Sequence, residues 1–192
     1  MRLIMCLVIL LPPLPALAQV DIDLQRQLIK MAQQNQQISQ SLDKYESARV
    51  PEALQSLAVE ISELHTETLK EIIALHGWPS KSQVEKQGIQ AIFQLIQHTH
   101  DLMFQQDMLP LIIQSFVDKE GITGQEVAEF TDKILIKLGK KQVFGTQAKL
   151  INSKVIFAKI ENENSVDQLR AQMDLPPLAE YKQTLKVFYG LQ

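Results

Sequence analysis

The sequence predicts a mainly α-helical protein, α+β only at the margin, with six or seven helices and one small β-hairpin. Two observations lead to this fold class. Between residues 22 and 139, apolar side chains recur every three or four positions, which is the spacing of amphipathic helices. After Gly139 the period shortens to two over residues 142–160, which indicates a hairpin turning at Asn152-Ser153. The 192 residues suffice for one domain with a substantial core.

The N-terminus has the layout of a secretory signal peptide. Arg2 precedes an apolar run over residues 3–11, a proline-rich stretch follows, and Ala16-Leu17-Ala18 forms an A-x-A cleavage site. The run is too short for a membrane span, which needs about 20 apolar residues. We therefore expect removal of segment 1–18 by cleavage after Ala18, and a secreted or periplasmic mature protein that spans residues 19–192.

Loss of the signal peptide changes the composition in two ways. It removes Cys6, the only cysteine, so the mature chain has no disulfide and no cysteine chemistry. It also removes Arg2, which leaves 18 Lys and Arg against 22 Asp and Glu, a net charge of −4. No basic block remains, which argues against nucleic acid as a partner. Gly145 alone is no glycine-rich phosphate loop, and we expect no cofactor.

Residues 22–76 are predicted to form an antiparallel helical hairpin, with a break near residues 47–50. Apolar residues in each helix keep the four-three spacing of a coiled-coil seam. The seam positions are Leu24, Leu28, Met31, Asn35, Ile38, Leu42 and Tyr45 in the first helix, and Leu54, Leu57, Ile61, Leu64, Thr68, Ile72 and Leu75 in the second. Residues 22–75 are therefore a candidate surface for a protein partner.

Helical patterns continue over residues 80–139, the predicted site helices, and residues 165–190, the C-terminal helices. Between the hairpin and the site helices, His76-Gly77-Trp78-Pro79 is typical of a helix end, because glycine suits the left-handed C′ position and proline prevents continuation. Within the site helices, Pro110 is expected to kink or restart a helix, and Asp107 is the candidate cap of the new one.

One face of the helix after Pro79 is polar, and it carries no charge between Gln87 and Thr99. Its members recur at spacings of three and four: Gln90, Gln94, Gln97, His98, Asp101 and Gln105. Such a stripe is often simply the solvated side of an amphipathic helix. However, a solvated face normally carries Lys and Glu, and no charged residue lies between Gln87 and Thr99. Because amides cost less to desolvate than ions, the stripe favours a partly covered hydrogen-bonding surface.

We predict that this stripe faces the polar segment Gln142–Gln147 in one pocket. Its predicted ligand-binding residues are His76, Trp78, Gln97, Gln105, Gln142, Thr146 and Gln147, with His98 as the candidate catalytic residue and Trp78 as an apolar wall. A bulge at Gly145 would bring Thr146 and Gln147 to the same side of the strand.

The chemistry of this predicted pocket stays open. His98 and His100 lie about 200° apart on a regular helix and cannot chelate one metal, and no metal site is predicted. His98 is a candidate general acid or base, with Asp101 or Asp132 as its orienter. For nucleophilic catalysis, the hydroxyl of Thr146 is the one candidate nucleophile, with His98 as the base that would activate it.

Three function classes follow from these residues. The first is a binding module whose amide and imidazole groups recognise a small polar ligand. The second is a small hydrolase or transferase that uses His98. The third is a coiled-coil interaction protein, which exposed Leu24, Leu28, Ile38 and Leu42 would support.

Six short motifs follow one another between about Leu64 and Tyr181. They are His76-Gly77-Trp78-Pro79, Gln97-His98, Phe104-Gln105, Thr131-Asp132-Lys133, the segment Gln142–Gln147 and the segment Leu175–Tyr181. In this order they resemble a family of bacterial proteins of unknown function. The chain departs from that pattern at Lys133, Phe144 and His100, where the family has Arg, Tyr and an acidic residue. The resemblance implies the location of a site and no activity, and lysine at 133 weakens bidentate carboxylate or phosphate capture there.

Overall fold

The structure, a computed structural model, describes residues 20–45 and 49–191. This part of the chain forms seven helices and one two-stranded sheet, so the predicted fold class is confirmed. The elements are α1 (Ile22–Leu42), α2 (Glu52–His76), α3 (Lys81–His98), α4 (Leu102–Val117), α5 (Gly124–Lys137), β1 (Ala148–Ile151), β2 (Lys154–Phe157), α6 (Val166–Gln172) and α7 (Leu178–Phe188). The predicted signal peptide lies outside the described residues.

Helix α3 is the centre of the fold, because apolar residues cover more than one of its faces. Ile89, Ile92 and Ile96 are fully buried, and Phe93 meets Phe130 of α5 edge to face, with 5.8 Å between ring centroids. Helix α1 packs chiefly against α3, and α2 joins from the side. The core therefore forms around α3.

The contact between α1 and α2 differs from the predicted coiled-coil seam. Leu57, Leu64 and Leu75 of α2 are 45 %, 63 % and 80 % exposed. Ile72 is the one predicted seam position of α2 that is buried, and Leu69, which lies outside the predicted seam, is buried as well. The physical reason is that α3 offers α1 a larger apolar surface than α2 does. Where α1 and α2 do meet, a polar contact joins them: His65 Nδ1 lies 2.7 Å from Asn35 Oδ1.

Helix ends follow local signals, except around Pro110. Gly77 has φ +70° at the end of α2, and Thr123 and Glu126 form a capping box at the start of α5. Pro110, by contrast, lies inside α4, which begins after its cap Asp101 and not at Asp107. Proline removes one helical hydrogen bond, but α4 stays continuous because buried residues on both sides of Pro110 hold it against the core.

The β-hairpin is shorter than the alternating sequence pattern. β1 and β2 are antiparallel, with Ala148 opposite Phe157 and a turn at Asn152-Ser153 in which both residues have positive φ. Segment 142–147 is not a strand, although Gln142 forms an isolated bridge with Ile160. Instead, its backbone turns towards α5. No helix within the described residues is long and apolar enough to cross a membrane.

Candidate functional site

Four members of the predicted polar stripe, Gln90, Gln94, Gln97 and His98, line a groove between α1, α3 and α5. The stripe is not continuous as predicted, because α3 ends at His98 and its last two members, Asp101 and Gln105, belong to the start of α4. We call this groove the amide groove, because glutamines from two helices surround its volume of about 560 Å³. Its lining residues are Ile29, Ala32, Gln33, Gln36, Gln87, Gln90, Ala91, Phe93, Gln94, Gln97, His98, Glu126 and Glu129. The groove thus combines small apolar contacts with uncharged amides, an imidazole and two carboxylates on one wall.

Most amides of the groove have no protein partner. Among the described residues, the side chains of Gln33, Gln36, Gln87, Gln94 and Gln97 make no hydrogen bond, whereas Gln90 Nε2 donates to Gly121 O over 2.8 Å. Gln94 and Gln97 are half-buried. Each free amide offers two donors and an acceptor with two lone pairs. The groove therefore presents many open hydrogen-bonding positions.

His98 lies in the groove with its ring nitrogens unbonded by any described residue. The pKa of His98 is lowered, first by desolvation and then by the positive charge of Lys133. Lys133 donates from Nζ to Gln97 O over 3.2 Å. The pKa of Lys133 is itself lowered by desolvation and by Lys137. The groove therefore contains a neutral imidazole, and the half-buried ammonium group of Lys133 adjoins the groove through its bond to Gln97 O.

Gln105 does not face the groove. Its side chain is fully buried, and Nε2 donates to Ile96 O over 2.9 Å and to the carbonyls of Gln97 and Thr99 over 3.3 Å. Its Oε1 accepts from Lys137 Nζ over 3.1 Å. These contacts satisfy carbonyl groups that the end of α3 leaves without helical partners. Gln105 therefore holds the end of α3 and is not available to a ligand.

Segment 142–147 wraps around the buried carboxylate of Asp132, in what we call the Asp132 cluster. Asp132 Oδ1 accepts the backbone N–H groups of Val143 and Phe144 over 2.7 and 3.0 Å. Its Oδ2 accepts both the N–H and the hydroxyl of Thr146 over 2.9 Å. Charge-assisted bonds of this kind are about twice as strong as neutral ones. A single carboxylate thereby fixes the path of the loop.

Gln142 and Gln147 complete this cluster. Gln142 is fully buried: Nε2 donates to Ala158 O over 2.8 Å and to Gln147 O over 3.1 Å, and Oε1 accepts from Gln147 N over 2.8 Å. Gln147 Nε2 donates to Thr146 Oγ1 over 3.1 Å and to Glu129 O over 3.4 Å. Both glutamines therefore use their amides inside the protein.

The C-terminal helices cover the same loop. Arg170 is fully buried and donates to Phe144 O over 2.8 Å and to Pro176 O over 2.6 Å, and its guanidinium lies 4.9 Å from the ring centre of Tyr181. Tyr181 Oη donates to Thr146 O over 3.4 Å. The Leu175–Tyr181 segment is thus joined to Asp132 through the loop.

The structure does not bring the residues of the predicted pocket together. Gln97 and His98 lie in the amide groove, whereas Gln105 caps α3 and Gln142, Thr146 and Gln147 belong to the Asp132 cluster. His76 is exposed at the end of α2 and Trp78 is half-buried against the core; neither lines the groove. The separation arises because segment 142–147 turns inward. Its backbone N–H groups bond Asp132, and the side chains of Gln142 and Gln147 bond neighbouring groups within the cluster.

The candidate orienters of His98 are committed to other groups. Asp101 caps α4 through Phe104 N and pairs with Lys70 at 2.9 Å, while Asp132 and the Thr146 hydroxyl bond each other. Within the described residues, no carboxylate bonds His98, and no three His, Cys, Asp or Glu side chains group as metal ligands would.

A family model described as a family of unknown function (DUF6624) matches residues 22–192. The chain belongs to DUF6624. Neither a curated protein nor a solved structure matches it.

In this DUF6624 chain, several residues that line the groove were not predicted from the sequence. Gln33 and Gln36 lie in the amide-rich run of α1, but nothing in the sequence indicates that α1 lies beside α3. Glu126 and Glu129 are three residues apart on α5, a spacing that places them on one helix face and that could have pointed to them. Arg170 carried no signal, because a lone arginine in an exposed-looking helix is most often solvated.

Proposed function

We propose that the protein is a ligand-binding protein and that the amide groove is its site. The observation that supports this proposal is the set of five glutamine side chains around one groove that bond no other residue in the described part of the chain. The volume of about 560 Å³ lies within the range of roughly 300–1,000 Å³ common for small-molecule sites. Within the Asp132 cluster, by contrast, the glutamine amides are already used.

The residues that line the groove favour a ligand with particular hydrogen-bonding groups. Amides donate and accept at once, so they suit hydroxyl and amide groups of a small polar molecule. Ala32, Ala91 and Phe93 supply apolar contact beside them. A ligand that fits would therefore be compact and rich in neutral hydrogen-bonding groups.

An unbiased ligand search tests this proposal. The protein is purified from its native host and denatured, and the released small molecules are identified by mass spectrometry. We expect a polar compound in stoichiometric amount from the wild type and its loss from the double variant Gln94→Leu, Gln97→Leu. Gln37→Leu is the matched control, because Gln37 is exposed on α1 outside the groove and should retain the compound. Equal retention by the double variant would contradict the proposal.

We further propose that the protein acts outside the cytoplasm of a bacterial cell. The motive is the signal-peptide pattern of residues 1–18, together with the bacterial setting implied by the six motifs. N-terminal analysis of protein from the native host should give Gln19, or its cyclised form, as the first residue. An intact Met1 would refute this part of the proposal.

A second candidate function is a protein contact through α2. Leu57, Leu64 and Leu75 form an exposed apolar stripe on one helix face, whereas Leu24 and Leu28 of α1 are buried. If this stripe binds a partner, Leu64→Ser should weaken the association and leave the free energy of unfolding nearly unchanged. Sedimentation velocity measures the first quantity and urea denaturation the second.

A further inference from the structure

The wall that α5 contributes to the amide groove carries charges of both signs in a fixed order. Glu126 and Glu129 line the groove, and Lys133 follows Glu129 one turn later, where its Nζ bonds the carbonyl of groove residue Gln97. Residues three and four apart share one face of a helix. The charge on this side of α5 therefore changes from negative at the groove lining to positive at Lys133, which adjoins the lining through Gln97.

These opposite charges do not neutralise one another. Glu129 and Lys133 have the spacing at which ion pairs form readily on a helix, yet no carboxylate oxygen of a described residue lies within 4.0 Å of Lys133 Nζ. Glu129 Oε1 accepts from Gln125 Nε2 over 2.8 Å instead. An ammonium group has three donors, so Lys133 keeps two beyond its bond to Gln97 O. Both charges are left open to a ligand.

His98 adds to the positive end. It is a groove residue without a hydrogen bond to any described residue, and the charge of Lys133 acts on its ring. A neutral imidazole donates one N–H, which complements the spare donors of the ammonium group. Both groups are therefore donors for the anionic end of a ligand.

The separation of the charges sets the size of a matching ligand. At 1.5 Å per residue, Lys133 lies about 6 Å along the helix axis from Glu129 and about 10 Å from Glu126. An extended peptide advances about 3.3–3.6 Å per residue, so two or three residues span this distance. The terminal ammonium and carboxylate of a short peptide are therefore separated by the distance that the wall requires.

We propose that the amide groove binds short zwitterionic peptides, with the peptide N-terminus at Glu129 and at Glu126 Oε1, the oxygen that does not cap α5, and the C-terminal carboxylate at Lys133 and His98. The inference rests on the proposed ligand-binding function of the groove. The free amides of Gln94 and Gln97 then pair with the peptide groups between the two ends, which carry the same donors and acceptors. Ala32 and Ala91 leave room for small side chains.

Titration calorimetry with trialanine tests both ends of the ligand. We expect saturable binding to the purified protein and about tenfold or greater weakening when the peptide is C-terminally amidated or N-terminally acetylated, because each change removes one charge-assisted contact. Lys133→Gln should weaken the binding of trialanine to a similar degree. This variant should bind the amidated peptide and the free acid with equal affinity. The Glu129→Gln variant should bind the acetylated peptide and the peptide with a free amine with equal affinity.

Two exposed residues provide charge-matched controls. Lys149→Gln on β1 and Glu71→Gln on α2 change the net charge by the same amounts outside the groove, and they should leave trialanine binding within about twofold of the wild type. Lys133→Arg keeps the positive charge and should retain most of the binding. Circular dichroism establishes that each variant is folded.

The outcomes separate this inference from the proposed function. Absence of trialanine binding, equal binding of the three peptides, or equal effects of Lys133→Gln and Lys149→Gln would each overturn it. If the mass-spectrometric search meanwhile finds another compound that depends on Gln94 and Gln97, the proposed function stands and the peptide inference alone fails.

Discussion

The amide groove and the Asp132 cluster contain the same kinds of side chain in opposite states. In the cluster, Gln142 uses its amide for three hydrogen bonds and is fully buried. In the groove, Gln94 and Gln97 are half-buried, and their side chains have no partner among the described residues. Both sites adjoin α5, whose Asp132 faces the cluster and whose Glu129 lines the groove.

This difference shows that the number of satisfied donors and acceptors, and not residue type, separates a structural polar site from a candidate binding site. A buried amide that lost its partners would cost about 1–3 kcal/mol, so the cluster has to be complete for the fold to be stable. Groove amides avoid this cost through contact with solvent. They can exchange water for a ligand.

The largest expected effect follows from removal of the carboxylate in the cluster. Asp132→Ala leaves three backbone N–H groups and the Thr146 hydroxyl without their acceptor. We expect a loss of about 3–5 kcal/mol in the free energy of unfolding, measured by urea denaturation. Asp107→Ala is the control: Asp107 is exposed on α4, and its replacement should cost less than about 0.5 kcal/mol. A similar small loss for Asp132→Ala would show that the cluster does not stabilise the fold.

A pair of glycine variants tests the packing of the same loop. Gly145 and Gly139 both have φ near +70°, so alanine at either position costs about 1–2 kcal/mol in backbone strain. A Cβ at Gly145 would also lie 2.8 Å from Leu178 Cδ1 and 3.2 Å from Ile160 Cδ1, whereas a Cβ at Gly139 meets nothing within 4 Å.

Gly145→Ala should therefore cost about 1 kcal/mol more than Gly139→Ala in the free energy of unfolding, because the terminal Cδ1 atoms of Leu178 and Ile160 have to shift. Thermal unfolding of the two variants measures this difference. Equal costs would mean that Leu178 moves aside without loss, and that the C-terminal segment is packed loosely on the loop.

Local patterns in the sequence predicted the helices and the site of the β-turn. The spacing of three and four identified α1 to α5, and the alternation after Gly139 identified the hairpin, because these periods reflect one buried face. The same rule failed for segment 142–147. Its alternating residues follow a strand pattern, but bonds to Asp132, eleven positions earlier in the case of Val143, decide its path.

The candidate site was predictable only in part, for the same reason. The uncharged stripe on α3 follows from the sequence, and it does line a groove. Which helix faces the stripe depends on tertiary packing: α1 lies opposite, with Gln33 and Gln36, in place of segment 142–147. No local pattern distinguishes Gln97, with an open amide, from Gln105, which caps α3.

Two histidines extend the comparison to pH. The pKa of His65 is lowered by burial between α1 and α2, and the pKa of His98 is lowered by desolvation and Lys133. In the unfolded chain the pKa of a histidine is about 6.5, so near this pH the unfolded chain binds more protons than the folded protein. The contribution to stability is therefore present above this pH, and it is lost as the pH falls towards the lower pKa of the folded state.

We expect His65→Gln to reduce this loss of stability on acidification more than His98→Gln does, because His65 is buried and His98 is exposed. The free energy of unfolding, measured in urea at intervals between about pH 7.5 and 5.5, gives the slope for each protein. If His98→Gln changed the slope of unfolding free energy against pH more than His65→Gln, the groove histidine would be the more strongly desolvated of the two.

The smallest expected effect belongs to the groove itself. Gln94→Leu removes an amide that bonds no described residue, and it adds apolar surface beside Phe93 and Ala91. Its free energy of unfolding should stay within about 0.5 kcal/mol of the wild type, or rise, as is common where residues serve binding more than stability. Gln142→Leu makes the same chemical change inside the Asp132 cluster, where it leaves Gln147 N and Ala158 O without their partner, while Gln147 O keeps its bond from Ala158 N; it should cost about 2–4 kcal/mol. Parallel urea denaturation of the two variants compares the regions directly. If Gln94→Leu is as destabilising as Gln142→Leu, the groove amides support the fold and the proposed binding site loses its basis.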